Sequence, residues 1–320
     1  MYVPLAEWLA LLEDEYLREY IPAGGAAVRF VVTVPPVAAS DIIDRLQQTA
    51  QAHDLHLVLV DSAHTKIHMI DHLFHAVARQ IGWDALARDF VCRLLEANGF
   101  QVPADPQAFD YPQIAELNQY TEGELRRDVR NWLITHVYKD FAMAQEFRIA
   151  MLRLCQAQLE PAAGGHAEAA VIKEWLRGEL RLVSALKPAL IFQKIARHNA
   201  RDMFLSLAHW LRLGRKRGLV LGLDISRYTS GRRPAEPDGT LYHATNAALD
   251  AYEVLRQFVD ATDELESCCI VVVAPPEFLE DEKRGLARYT ALKLRVWDEV
   301  RDRRQANPLS ALVRLCADAT

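Results

Sequence analysis

The hydrophobic pattern of the chain predicts a parallel α/β sheet. Nearly continuous apolar runs rich in β-branched residues indicate strands buried on both faces, at 28–34, 55–60, 219–223 and 269–273. A further short strand is predicted at 311–315. Apolar residues at helical spacing predict helices over 5–20, 40–52, 65–80 and 244–261. Strands that alternate with helices are typical of a parallel sheet with helices on both faces.

A second pattern, of helices alone, fills the middle of the chain. It predicts a helical insertion between the second and third strands of the sheet. A long helix over 191–217 would lead back into the sheet, and 285–304 also has a helical pattern. The predicted organisation is therefore a first part of the α/β core (1–82), a helical insertion (83–190) and a second part of the core (191–320).

Composition narrows the class of protein. The 320 residues are 51% hydrophobic and 25% charged, which excludes global disorder, and the net charge of −6 excludes an overall basic field for nucleic acid. No apolar run reaches the length of a membrane span, and no leader pattern opens the chain. Five scattered cysteines indicate reduced thiols. We therefore expect a cytoplasmic protein with no membrane partner.

The segment 33–40, with the sequence TVPPVAAS, lies where nucleotide-binding proteins place a phosphate loop, between a buried strand and a helix N-terminus. Such a loop needs glycines for converging N–H groups and a lysine for the outer phosphates. This one has neither, and Pro35 and Pro36 each remove a donor. Ser40 alone offers a hydroxyl for a metal. The loop therefore predicts no tight binding of ATP.

The third predicted strand ends at Asp224, as the metal-side strand of a P-loop ATPase does. In ATPases with a catalytic glutamate, the next residue is that acid, but here it is Ile225, which cannot accept a proton from water. A strand end capped by an ordinary aspartate is the alternative interpretation.

Four stretches of the sequence together resemble one family. They are PLAEWLALLEDEYLREYIPAGGAAVRFVV near the start, WLRGE at 175–179, MFLSLAHWLRLGRKRGLVLGLDI at 203–225, and APPEFLEDEKRGLARYTALKLR at 274–295. They are similar, in order, to the P-loop ATP-binding proteins of bacteriophage-exclusion (BREX) defence systems. The resemblance implies a P-loop NTPase-like fold of the additional-strand ATPase type. Such ATPases continue into a helical C-terminal lid, whereas this sequence stops at Thr320, so no lid is expected.

The resemblance also assigns the nucleotide-site positions. The family's Lys-Ser pair falls on Ala39 and Ser40, its loop glycines near Thr33 and Ala38, its metal-side acid on Asp224 with Ile225 after it, and its fourth-strand sensor at 274–275. The lysine, the glycines, the catalytic acid and the polar sensor are thus replaced together. A degenerate Walker A loop and a pseudo-ATPase without catalytic residues or cofactor are expected.

The resemblance implies a scaffold or regulator in a prokaryotic anti-phage defence or DNA-processing complex. Its expected partners are protein subunits of that complex, an active ATPase among them. One alternative is an active ATPase or nucleotide sensor in which Ser40 and Asp224 hold Mg-ATP. Another is a DNA-binding module that uses basic clusters, namely Arg212, Arg215, Lys216, Arg217, Arg232 and Arg233.

Two further patterns are ambiguous. His64, His68, His72 and His75 recur at helical spacing, which offers a weak metal site or, as we prefer, a polar helix face. The polar loop 228–242 follows the third strand, where open α/β sheets bind ligands, so it is either a surface excursion or a partner contact.

Overall fold

The computed structural model describes residues 2–105, 109–160, 165–231, 239–297 and 307–318. One six-stranded sheet contains β1 (Val3–Pro4), β2 (Ala26–Thr33), β3 (His56–Asp61), β4 (Leu219–Asp224), β5 (Cys268–Ala274) and β6 (Leu312–Cys316). All neighbouring strands are parallel, in the order β1-β6-β2-β5-β4-β3. The predicted α/β class is confirmed.

The strand order identifies the class of P-loop fold. β5 lies between β2, which leads into the phosphate-loop position, and β4, which ends at Asp224. A strand inserted at this place is what the additional-strand class is named for, and the fold is P-loop NTPase-like. Every residue of β5 is buried, because the strand has a neighbour on each side and helices over both faces. Its adjacent Cys268 and Cys269 are therefore core residues, and both are free thiols.

Helices account for most of the remaining described residues. In chain order they are α1 (Leu5–Leu12), α2 (Ala39–Ala52), α3 (Ile70–Arg79), α4 (Trp83–Ala97), α5 (Tyr111–Leu117), α6 (Glu122–Leu133), α7 (Gln145–Leu159), α8 (Gly165–Arg177), α9 (Ala200–Leu213), α10 (Ser226–Thr229), α11 (Thr245–Asp260), α12 (Glu277–Glu280) and α13 (Thr290–Val296). α1 continues into a π-helical turn over Glu13–Leu17, and a second π turn, Ile134–Tyr138, follows α6. Two 3₁₀ helices cover Val183–Ala189 and Leu286–Arg288.

The chain forms two compact units. The first contains Met1–Val77 and Lys216–Thr320 and holds the sheet; the second, Ala78–Arg215, is helical and lies in sequence between β3 and β4. The helical insertion is thus present. The boundaries that the sequence predicts for it, at 82 and 190, stay predictions.

The two faces of the sheet bury different partners. On one face, Val31 and Val271 join a core with Trp8 and Leu12 of α1 and Leu46 of α2. On the other, the ring of Phe30 stacks on that of Phe278, with 6.3 Å between centroids. Both faces are covered by apolar side chains, so the apolar strands predicted from the sequence bury their side chains in either direction.

Three helices predicted from the sequence are wrong in their extent, and one of them, over 65–80, begins only at Ile70. The helix over 191–217 is only α9, because Asn199 takes the backbone groups before it: its side chain accepts from Ala196 N–H at 2.8 Å and donates to the Lys194 carbonyl at 3.0 Å. Within 285–297, a 3₁₀ turn and the short α13 replace one helix. β1 is too short to leave a pattern and forms because it pairs with β6. Among the described residues, no helix has both the length and the apolar character that crossing a membrane requires.

Candidate functional site

The phosphate-loop position has few backbone donors to offer an anion. β2 ends at Thr33 and α2 begins at Ala39, as a phosphate loop requires. Inside the loop, Val37 N–H donates to the Val34 carbonyl at 3.0 Å, and Ala38 N–H donates to the Asp41 carboxylate at 2.8 Å. The two prolines have no N–H. The loop amides before α2 are therefore missing or already bonded, and only those of Ala39 and Ser40, in the first turn of the helix, have no acceptor within the described residues.

The surroundings of this loop are also electrostatically wrong for a phosphate. Asp41 and Asp44 line a shallow cleft beside Pro36, together with Asp318 and Arg45. Arg45, the basic residue of the cleft, already pairs with Asp318 at 3.2 Å. Ser40 is exposed at the helix N-terminus, where it is free to turn toward solvent. A triphosphate would enter a cleft with two uncompensated carboxylates.

The end of β4 holds its acid in a local turn. Asp224 Oδ1 accepts a hydrogen bond from Ser226 N–H at 2.8 Å and another from the Ser226 hydroxyl. Burial raises the pKa of Asp224, and the charge of Asp61, its register partner on β3, raises it further. Ile225 is fully buried. The carboxylate thus caps its own loop, and no acid follows it.

The end of β5 lacks a polar group at the sensor position. Ala274 is buried and Pro275 follows it, and neither side chain can donate or accept a hydrogen bond. The β5 backbone instead supports β4, because Ile225 N–H donates to the Val273 carbonyl at 2.9 Å.

Four side chains that we call the edge network occupy the carboxyl ends of β3, β4 and β5: His68, Tyr228, His243 and Arg284. Tyr228 OH lies 2.8 Å from His68 Nδ1 and accepts from His68 N–H at 3.0 Å. The ring of His243 stacks on that of Tyr228, with 4.1 Å between centroids. Arg284 Nη1 donates to the His243 carbonyl at 2.8 Å and to the Tyr228 carbonyl at 3.3 Å. Side chains therefore fill this part of the edge.

The local sequence fixes Arg284 in place. Asp281 Oδ1 accepts from the N–H groups of Lys283 and Arg284, each at 2.7 Å. The Arg284 carbonyl accepts from Tyr252 OH at 2.6 Å. A Cβ at Gly285 would lie 2.3 Å from the Asp281 carbonyl oxygen, so this turn has no room for a side chain there. The Arg-Gly pair of APPEFLEDEKRGLARY thus has a structural role.

The histidines of the edge network favour their neutral forms. His243 Nε2 lies 2.7 Å from the Ser62 carbonyl oxygen, which requires a proton on that nitrogen. Burial is the main cause that lowers the pKa of His243 and of His68. For His68 the next cause is His243, and for His243 the cations Arg227, Lys66 and Arg284 add to the effect.

The histidine face predicted from spacing does not form. α3 begins at Ile70, so His64 and His68 lie in turns before it, because Asp61 holds the preceding chain through its carbonyl and its carboxylate. His64 and His72 are exposed, and His68 points to Tyr228. Within the described ranges, no cluster of three potential ligands could hold a metal ion.

Three basic residues before β4 contact groups of their own chain, and the predicted nucleic-acid or partner contact of this cluster stays a prediction. Arg215 pairs with Glu96 at 2.7 Å, Lys216 lies 3.5 Å from Asp54, and Arg217 donates to the Arg18 carbonyl. Arg212, which is exposed, follows on α9. Arg232 and Arg233 fall outside the described residues, as does the middle of the loop 228–242, residues 232–238.

The comparison with protein-family models identifies the relationship. The model described as BREX system ATP-binding protein BrxC/D matches residues 112–317, nearly two thirds of the chain. The chain belongs to this family. No curated protein and no solved structure matched it. The BREX resemblance inferred from the sequence is therefore confirmed.

The matched range of the BrxC/D family covers Asp224, the edge network residues Tyr228, His243 and Arg284, and the WLRGE motif. The phosphate-loop position at 33–40 lies before it, so our interpretation of that loop depends on its own geometry. Sequence reasoning missed the edge network. Its signal was present in the Arg-Gly pair at 284–285, but nothing in the sequence joins this pair to His68 or Tyr228.

Proposed function

We propose that this BrxC/D family member is a non-catalytic P-loop-fold subunit that serves as scaffold or regulator in a BREX anti-phage complex. One observation carries the proposal: the N–H of Ala38 donates to the Asp41 carboxylate, at the point where an active loop would bind phosphate. The protein's own anion thus occupies the helix N-terminus that attracts phosphate in nucleotide-binding folds.

The other positions support the same proposal. Ile225 and Ala274 cannot transfer a proton or sense a phosphate, and Tyr228 of the edge network donates its N–H to the Ile225 carbonyl at 3.0 Å. A chain that keeps the sheet without this chemistry retains surfaces for packing against other subunits. Function follows from the site rather than from the fold, and here the site favours a binding role. Other protein subunits of the BREX complex are the proposed partners.

Isothermal titration with Mg-ATP tests the proposal directly. We expect no measurable heat of binding at micromolar nucleotide and no release of phosphate. Copurification with the products of adjacent genes, tagged one at a time, should recover at least one stable complex. Micromolar binding of Mg-ATP with release of phosphate would contradict the proposal. A protein that copurifies with none of the adjacent gene products would contradict it as well.

One observation favours a second candidate, an active ATPase or nucleotide sensor: the family's name includes ATP binding. In that case Ser40 and Asp224 would hold the metal. Asp224→Asn would then abolish hydrolysis in the assembled complex. Under our proposal the same substitution leaves the activity of the complex unchanged.

A further inference from the structure

An exposed segment of the helical unit contains none of the nucleotide-site positions. We call residues 181–198 the basic segment: it follows the WLRGE motif, includes the 3₁₀ helix Val183–Ala189 and ends before α9. It contains Arg181, Lys187, Lys194 and Arg197, one histidine and no acidic residue. In a chain of net charge −6, this is a local excess of positive charge.

Three large apolar side chains of the basic segment face solvent. Leu182 is 70% exposed, Leu190 57% and Phe192 64%. Leu190 and Phe192 flank the fully buried Ile191, and both are exposed to solvent while Ile191 faces the interior. Leu182 lies at the far end of the 3₁₀ helix, which is about 14 Å long. Exposed apolar patches rimmed by polar residues mark interaction sites, and this short segment exposes three large apolar side chains.

The charges of the basic segment are available to a partner. Within the described parts of the chain, Arg181, Lys187, Lys194 and Arg197 form no ion pair, and all four are exposed. The basic residues before β4, by contrast, contact acids or carbonyls of their own chain. An acidic partner would therefore not have to break existing pairs to reach these cations.

The backbone of the basic segment is held in a fixed shape. Trp175 of the WLRGE motif, itself buried, donates from Nε1 to the Gln193 carbonyl at 2.9 Å. Leu186, Ala189 and Ile195 of the segment are buried and anchor it to the helical unit. A preorganised surface costs less ordering entropy when it binds.

Leu190 also adopts an uncommon backbone conformation. Its φ of +63° lies in the left-handed region, which is unfavourable for a residue with a side chain. Its N–H donates to the Lys187 carbonyl at 3.0 Å, which closes the 3₁₀ helix. The turn directs an apolar side chain outward where a polar residue or glycine would cost less. Such outliers concentrate at binding sites.

We propose that the basic segment is a docking surface for an acidic, amphipathic helix of a protein partner, an inference that rests on the proposed role as a complex subunit. The apolar side chains of such a helix would cover Leu182, Leu190 and Phe192, and its carboxylates would pair with the four cations. An apolar centre with a charged rim is the usual anatomy of a protein interface. The span of about 14 Å matches roughly three turns of a helix.

Charge and side-chain type favour a protein over nucleic acid as the partner. Bases stack on aromatic rings, but two of the three exposed apolar residues are leucines, which cannot stack. Aliphatic groups beside cations fit the apolar face of an acidic helix. Binding of a nucleic acid strand at this segment is therefore an outcome that would overturn the proposal.

Fluorescence anisotropy with two synthetic peptides tests the proposal. Both peptides have about 18 residues and leucines at i, i+3, i+4 and i+7; one has glutamates on its flanks and the other lysines in the same places. We expect the glutamate peptide to bind at least about tenfold more tightly to the full-length protein.

Matched variants separate the surface from the rest of the unit. Leu190→Ala with Phe192→Ala, and separately Lys194→Glu with Arg197→Glu, should each weaken the glutamate peptide at least about tenfold. Phe141→Ala removes another exposed phenylalanine, and Arg130→Glu reverses another exposed arginine of the same unit. These controls should stay within about twofold of wild type. Circular dichroism checks that each variant is folded.

Three results would overturn the proposal. The first is that both peptides bind equally tightly, or that neither binds. The second is that the control variants weaken the glutamate peptide as much as the surface variants do. The third is that an oligo(dT) strand binds more tightly than the glutamate peptide and that the surface substitutions abolish its binding. None of these depends on nucleotide. Peptide binding together with turnover of Mg-ATP would leave the docking surface standing and remove the non-catalytic role, so the two failures are distinguishable.

Discussion

The two halves of the sheet's carboxyl edge differ in what occupies the positions of a nucleotide site. At the β2 half, the loop before α2 keeps an open course, but an aspartate carboxylate and two prolines replace the donors and cation that phosphate needs. At the β3–β4–β5 half, the edge network fills the space with two histidines, a tyrosine and a buried arginine. The β2 half presents negative charge where a phosphate would bind, and the side chains of the other half fill the space that a ligand would need.

This difference predicts which half contributes more to the free energy of unfolding. The β2 loop is largely exposed, and its contacts are a few hydrogen bonds near the surface. Three of the four edge-network side chains are buried and His68 is half-buried, and the network connects the residue after β3, α10, the residue after the loop 228–242 and the turn before α13. Substitutions should therefore be costly in the edge network and cheap in the β2 loop.

Arg284→Ala should have the largest effect. It leaves the carbonyls of His243 and Tyr228 buried without their donor, and each such group costs about 1–3 kcal/mol. We expect the free energy of unfolding to fall by about 3 kcal/mol in urea. Arg288→Ala, four residues on and exposed, is the control and should change it by less than about 0.5 kcal/mol. Equal effects of the two would mean that the edge network adds no stability.

The histidines of the edge network should make this half sensitive to acid. Burial lowers the pKa of His68 and His243 in the folded protein, so the unfolded chain binds protons more readily. Their contribution is complete above about pH 6.5 and is lost as the pH falls through their lower folded pKa values. The melting temperature of the wild-type protein should drop between pH 7 and pH 5. The melting temperature of His243→Gln, which keeps a donor for the Ser62 carbonyl, should drop less over the same range. His64→Gln, at an exposed histidine, should follow wild type.

How far the sequence predicts this molecule depends on the range of the interactions. The buried strands and their order along the chain are local patterns. A run of β-branched apolar residues such as Ile270 and Val271 in β5 predicts a buried strand without reference to the rest of the chain. The missing lysine and glycines of the phosphate loop are also visible in the sequence alone. The edge network is not, because its residues lie far apart in the chain and only the topology brings them together.

The predicted histidine face shows that long-range contacts can also override a local pattern. Helical spacing from His64 to His75 is real in the sequence, but hydrogen bonds to Asp61 and to Tyr228 hold the first of these residues outside the helix. Tyr228 lies 160 residues beyond His68. No local pattern contains such a contact, so spacing alone gave the wrong interpretation.

Asp41→Ala tests the β2 half, where we expect a smaller effect. It removes the acceptor of Ala38 N–H and a negative charge from the first turn of α2, which together stabilise a helix by about 1 kcal/mol. Asp41→Asn keeps an acceptor and should lose about half as much. Thermal unfolding measures both, and Asp44→Ala, also exposed on α2, is the control. Neither variant should gain measurable binding of Mg-ATP, because the prolines still supply no donors; a gain would show that the carboxylate alone blocks the site.

Asp224→Asn should have the smallest effect, and its sign distinguishes a structural from a catalytic acid. Burial and Asp61 raise the pKa of Asp224, so the folded state favours the protonated form, and its contribution to stability is complete at low pH and is lost as the pH rises through the folded value. An asparagine still accepts from Ser226 and carries no charge. Wild type and variant should therefore unfold alike near pH 3, and the variant should be slightly more stable at pH 7; Asp263→Asn, at an exposed acid, should show no such trend. A variant that is less stable at pH 7, or one that disables the BREX complex while remaining folded, would mean that the charge at Asp224 is needed, as a metal-binding acid would require.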